Sequence, residues 1–182
     1  MILKILLLIS IIFFTALPLA AILLRNKTEL LPALEKLPRA KWAGIILTAL
    51  VLLWCIPHID AVLHPASFFR TILYPGLLIA WILCSIYLDY LFARAFAVFC
   101  ILYSYTMLHL SFSAMLPLTS LSAIFYYLVG IGGLAVAAKP YWLRDAIRMI
   151  MQNKTVFYTF LTLCLYGVLC QILILVFAFV QQ

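Results

Sequence analysis

Charge is what this chain has least of. Only 9% of its 182 residues are Asp, Glu, Lys or Arg, against about 25% in an average soluble domain. A soluble globule of this length could not cover its apolar core with so little polar surface. Catalytic signatures are missing too: there is no paired-carboxylate site, no G-x-S-x-G, no H-E-x-x-H, no Walker loop and no G-x-G-x-x-G following a strand. The five cysteines, Cys55, Cys84, Cys100, Cys164 and Cys170, include no C-x-x-C pair and lie scattered inside apolar runs. They read as small packing residues, neither a disulfide framework nor a zinc site. Low-complexity tracts are absent, and the only internal echo is an Asn-Lys-Thr triplet at Asn26 and Asn153, too short to mark a duplication. Together these absences exclude a soluble enzyme, a disordered linker and a nucleic-acid-binding domain.

What remains is hydrophobic. Apolar residues make up 69% of the chain, and they run unbroken for about the 20 residues that carry a helix across a bilayer. The strands of a transmembrane β-barrel would alternate in short segments instead. Six spans are expected, over residues 2–24, 42–59, 70–88, 95–115, 118–138 and 156–180. The predicted fold class is therefore all-α: a polytopic integral membrane protein, one transmembrane domain over residues 1–182 built as a bundle of about six helices. The first run reads as an anchor rather than a signal peptide, because it is long, lacks a small-x-small cleavage site and is followed by more positive charge than precedes it. Pro57 is expected to end the second span, and Pro75 to kink or restart the third. Gly130, Gly132 and Gly133 leave room for a close helix neighbour in the fifth.

Two segments between spans are polar. In residues 25–41, Leu30, Leu31, Leu34 and Leu37 form a short apolar face suited to the membrane surface. In residues 139–154, Leu143, Ile147, Ile150 and Met151 repeat at i, i+4, i+7 and i+8, with Arg144, Asp145 and Arg148 opposite. That pattern predicts an interfacial amphipathic helix over 140–151. Lys139, Trp142, Arg144 and Arg148 are expected to meet lipid headgroups or a partner subunit. Asp89 and Arg94, flanking a tight turn, read as a local charge pair.

The net charge of +7 reads as sidedness. Connections after the first, third and fifth spans hold Arg25, Lys27, Lys36, Arg39, Lys41, Arg94, Lys139, Arg144, Arg148 and Lys154, leaving only Lys4 and Arg70 on the other side. Loops rich in Lys and Arg stay in the cytoplasm. The expectation is a multi-pass protein of the cell (inner) membrane with those loops cytoplasmic, both termini outside, and both Asn-Lys-Thr triplets facing the cytoplasm.

Ionisable groups inside a membrane mark function by default, and the span interiors hold almost none. That weakens an ion-coupled transporter, a proton pump or a charged channel. The most polar span is the fourth, where Thr106, His109 and Ser113 recur at i, i+3 and i+7 and Tyr105 reaches His109 at i+4. These four are candidates to line a pathway or ligand site; the plainer alternative is hydroxyls bonding their own helix or a neighbour. His58, His64 and His109 all map to the outer side, near Asp60. Such a set suits Zn or Cu, and two of the histidines suit axial haem ligation. Their spacing matches no strong metal motif, so no cofactor is expected and a haem- or metal-binding redox subunit is the lesser reading. The leading expectation is an accessory or assembly subunit without catalytic machinery, packed in the lipid bilayer against other membrane subunits or itself, with no nucleic-acid partner. The alternative is a small transporter or hydrophobic-ligand binder using the polar face of the fourth span.

Overall fold

An apolar run surrounded by lipid has to satisfy its own backbone hydrogen bonds, and a helix does so within one segment. The computed structural model describes residues 2–25, 31–62, 67–115 and 118–180, and among these it contains helices and no strand. In chain order they are α1 (Ile2–Arg25), α2 (Leu31–Lys36) with a 3-10 turn at Leu37–Arg39, α3 (Lys41–Val62) and α4 (Ser67–Tyr87). They continue with α5 (Leu91–Ser113), α6 (Thr119–Ala138), α7 (Tyr141–Gln152) and α8 (Lys154–Val180). Five of them, α1, α3, α5, α6 and α8, are long and apolar enough to cross a membrane. The apolar stretch of α4, Thr71–Tyr87, is shorter. The fold is all-α and polytopic, as composition required.

Details of several helices differ from the sequence expectation. Helix α3 continues through Pro57 to Val62, and α4 contains Pro75 without restarting. Proline is tolerated inside membrane helices because neighbouring groups and local adjustments re-satisfy the freed backbone. Helix α5 begins at Leu91, four residues before the expected Ala95, because Tyr90 reverses the chain in the left-handed region (φ 58°, ψ 37°). Arg39 braces that turn, hydrogen-bonding the Tyr90 hydroxyl with its guanidinium 4.8 Å from the ring centroid. Arg94 thus falls on the first turn of α5, and an Asp89–Arg94 ion pair is not among those formed by the described residues.

Lipid tails are as apolar as leucine, so helices in a bilayer associate through close approach and interhelical hydrogen bonds. Both devices occur here. At Gly133 of α6 a Cβ would lie 2.9 Å from the Ala97 carbonyl oxygen and 2.9 Å from Cys100 Cβ of α5, so only glycine permits that approach. Nearby, Ser104 Oγ donates 2.6 Å to the Tyr126 carbonyl, tying α5 to α6. The Tyr166 hydroxyl of α8 donates 2.7 Å to the Leu121 carbonyl of α6. Gly167 of α8 receives the Phe125 ring, which a Cβ would meet at 2.4 Å. Helix α3 packs on α5 at Gly44, and α4 joins α3 through Trp81 Nε1, which donates 3.2 Å to the Ile45 carbonyl. Helix α1 lies along α8 around Leu7, Ile174 and Ala178.

The two surface segments meet at one end of the bundle, where α7 packs against α2 and α8 and Arg148 lies 3.8 Å from Glu35. Asn153 Oδ1 accepts a 2.9 Å hydrogen bond from the Thr155 N–H, so this asparagine caps the start of α8. Asn26 lies outside the described residues.

Candidate functional site

The polar residues of α5 fall on more than one face. Thr106 is buried, whereas Tyr105, His109 and Ser113 are exposed. Thr106 Oγ1 lies 3.3 Å from His58 Nε2 of α3, and the His58 ring meets Tyr105 edge-on at 5.3 Å between centroids. Tyr105 in turn stacks on His109 at 6.0 Å. Two of the three histidines are thus joined through one tyrosine, while His64 lies outside the described residues. Ser113 Oγ donates 2.6 Å to the His109 carbonyl of its own helix. Among the described residues, no group of three or more His, Cys, Asp or Glu is arranged to hold a metal ion.

On α7, Lys139 Nζ lies 5.2 Å from the centroid of the Trp142 ring, and Trp142 and Arg148 are exposed. Arg144 donates to Asp145 Oδ1 from Nε and Nη2 at 3.0 and 2.9 Å, and these bonds hold its guanidinium above the ordinary arginine range. The apolar stripe on the other face turns inward. Leu143, Ala146, Ile147, Ile150 and Met151 close the end of a cavity of about 420 Å³ between α1, α5, α6 and α8.

This cavity is the main feature that sequence reading missed. Its walls are Phe13, Leu17 and Ala21 of α1, Phe96 and Phe99 of α5, and residues such as Val129 and Phe160 from α6 and α8. Along α5 the rings of Phe92, Phe96, Phe99 and Tyr103 stack successively at 6.4, 6.5 and 6.4 Å, a ladder whose upper three rings border the space. Adjacent glycines divide the work on α6. Gly133 makes the tight α5 contact, whereas a Cβ on Gly132 would meet nothing within 4 Å, and Gly132 opens on the cavity.

Farthest from α7, the cavity ends at Tyr103, one member of a buried polar ring. Ser10, Tyr103 and Gln171, from α1, α5 and α8, are 3%, 6% and 0% exposed. Ser10 Oγ donates 2.9 Å to Gln171 Oε1, and Gln171 Nε2 donates 2.9 Å to the Tyr103 hydroxyl. With the Ser10 proton committed, Tyr103 closes the ring by donating to Ser10 Oγ. Each group then donates once and accepts once, so both hydroxyl protons are used within the ring. The walls below it are aliphatic, aromatic and sulfur-bearing side chains, including Cys100, Cys164 and Met151, and the arrangement suits an apolar occupant. One signal in the sequence pointed here: Gln171 is a lone amide inside a 27-residue apolar helix.

No family model matches this chain, and no curated protein or solved structure does either.

Proposed function

We propose that this protein is a multi-pass protein of the cell (inner) membrane that holds an apolar ligand within its helix bundle, without catalytic machinery of its own. The cavity of about 420 Å³ closed by the α7 stripe carries this reading. Its size falls in the ordinary range of small-molecule pockets, about 300 to 1,000 Å³. Of the two binding readings open from sequence, this one keeps the hydrophobic ligand and moves it from the polar face of α5 to the aromatic face. The test is photolabelling of the full chain in phospholipid nanodiscs with a diazirine derivative of palmitic acid, followed by peptide mapping. Labels on Phe96, Phe99, Leu17 or Ile147 support the reading, and labels restricted to outward-facing residues such as Ile12 and Ile131 oppose it.

The sidedness proposed with it puts α2 and α7 at the cytoplasmic face and both termini outside. Supporting this, the two most basic connections lie together at one end of the bundle, where positive charge is retained in the cytoplasm.

A second reading, an accessory subunit packed against other membrane chains, is favoured by α4. This helix packs against α3 alone among the stronger helix pairs, and a groove of about 310 Å³ between the two is lined by Leu52, Ile56, Leu77 and Leu78. Crosslinking in native membranes from cysteines placed at Leu78 or Ile82 tests it. A partner trapped at these positions supports a subunit role, and uncrosslinked monomer throughout opposes it.

A further inference from the structure

The geometry points to a specific occupant: one acyl chain of an anionic phospholipid from the leaflet at the α7 end, reaching the cavity sideways between α1 and α5. This inference rests on the apolar-ligand reading above and goes further, to the ligand's class and route.

The cavity's length and section suit an extended acyl chain. On α1 its lining extends from Phe13 to Leu24, about 16 Å at a helical rise of 1.5 Å per residue. Dividing about 420 Å³ by that depth leaves a cross-section of about 26 Å². A hydrocarbon chain keeping carbon contacts of about 4 Å on all sides fills about 16 to 20 Å². One extended chain fits along the slot.

The side wall supplies a route. Contacts between α1 and α5 involve Ser10, Phe13 and Phe14, which meet Tyr103 and Phe99. Nearer α7, the side chains Leu17, Ala20, Leu24 and Phe96 of the two helices border the cavity. Phe13 lines the cavity and is 38% exposed, and its neighbour Ile12 is 67% exposed, so this stretch of α1 borders both the cavity and the bundle's surface. A second acyl chain of the same lipid would remain outside in the bilayer.

Charge at the rim selects the headgroup. Arg25 directly follows the lining residue Leu24, with its guanidinium 4.2 Å from the Phe157 ring centroid. Lys139 precedes α7 and rests over Trp142. Unlike Arg144 and Arg148, neither has an acidic partner among the described residues. Two cations held against aromatic rings near the apolar slot, neither with an acidic partner among the described residues, are placed to receive an anionic phosphate ester.

The experiment is native mass spectrometry of the full-length protein released from membranes holding equal amounts of dioleoyl phosphatidylglycerol and dioleoyl phosphatidylcholine, with palmitate as a competitor. One phosphatidylglycerol per protein should be retained in preference to phosphatidylcholine. Arg25→Gln and Lys139→Gln should each reduce that preference about fivefold, the size expected for one interfacial charge. Gly132→Trp should remove the bound lipid altogether, and Gly132→Leu, a smaller plug, should reduce it should the tryptophan variant fail to fold. Equal retention of the two phospholipids, lost in the Gly132 variants, would overturn the anionic assignment and leave the apolar-ligand reading standing. Retention of palmitate in place of either phospholipid would also overturn the assignment. Phospholipid retention unchanged by both Gly132 variants would overturn the inference and the function on which it rests.

Discussion

Gln171 Nε2 of α8 donates a 2.9 Å hydrogen bond to the Tyr103 hydroxyl of α5, in the apolar middle of the bundle. With Ser10 this bond completes a three-membered ring that fastens α1, α5 and α8 at one level, directly above the cavity. Below the ring, α1 and α5 border an open space. The ring therefore fixes the roof of the site while leaving its side wall free, and stability and binding depend on different residues.

Breaking the ring should cost stability. Gln171→Leu or Tyr103→Phe removes two of the three bonds, each worth up to about 1.7 kcal/mol in a membrane bundle, and strands the Ser10 proton or the Gln171 amide, respectively, without its acceptor. Each variant should unfold about 1 to 2 kcal/mol more easily in detergent titration, and the double variant by less than the sum. Tyr126→Phe is the control. The buried Tyr126 hydroxyl faces Ser111 without a well-formed hydrogen bond, so its removal should cost less stability than breaking the ring.

Adjacent glycines should respond oppositely to the same methyl group. Gly133→Ala pushes a Cβ to 2.9 Å from the Ala97 carbonyl and should destabilise the α5–α6 pair by about 1 to 3 kcal/mol. Gly132→Ala meets nothing within 4 Å and should raise stability by up to about 1 kcal/mol.

The ion pair between the two surface helices should contribute little. Arg148 and Glu35 are 3.8 Å apart with side chains 60% and 31% exposed, the regime in which pairs contribute about 0 to 1 kcal/mol. Glu35→Gln should change thermal stability by less than about 0.5 kcal/mol, and α7 should keep its position because its apolar stripe faces the bundle.

Sidedness can be read with single cysteines and a membrane-impermeant maleimide. In intact cells Ser113→Cys should label and Lys154→Cys should label only after permeabilisation, with the wild-type chain as control for its own helix cysteines. The reverse pattern would invert the proposed orientation.

The helices were legible because length and hydropathy decide what can cross a bilayer. Helix α7 was legible because Leu143, Ile147 and Ile150 recur at helical spacing against Arg144 and Arg148. Interior faces were not legible, for a physical reason. Helix α8 is apolar on every side, and since lipid and protein interior are equally apolar, periodicity cannot say which side meets protein. Gln171, the one amide within α8, was the available signal and was not read as one. The polar run on α5 drew attention to Thr106 and His109, which do meet His58 and Tyr105, but Tyr103 faces the cavity one turn away among phenylalanines and carried no comparable signal. Gly132 and Gly133 looked alike in sequence. A rotation of about 100° between consecutive helical residues sends one into a tight contact and the other into open space.

Occupancy of the cavity by an apolar chain is tested by palmitate-diazirine labelling of wild type and Gly132→Trp side by side in nanodiscs. Labelling of Phe96, Phe99 and Ile147 in the wild type should fall to background in the variant, while labelling of the exposed Ile12 and Ile131 stays unchanged. Equal labelling of the cavity walls in a folded Gly132→Trp protein would contradict it.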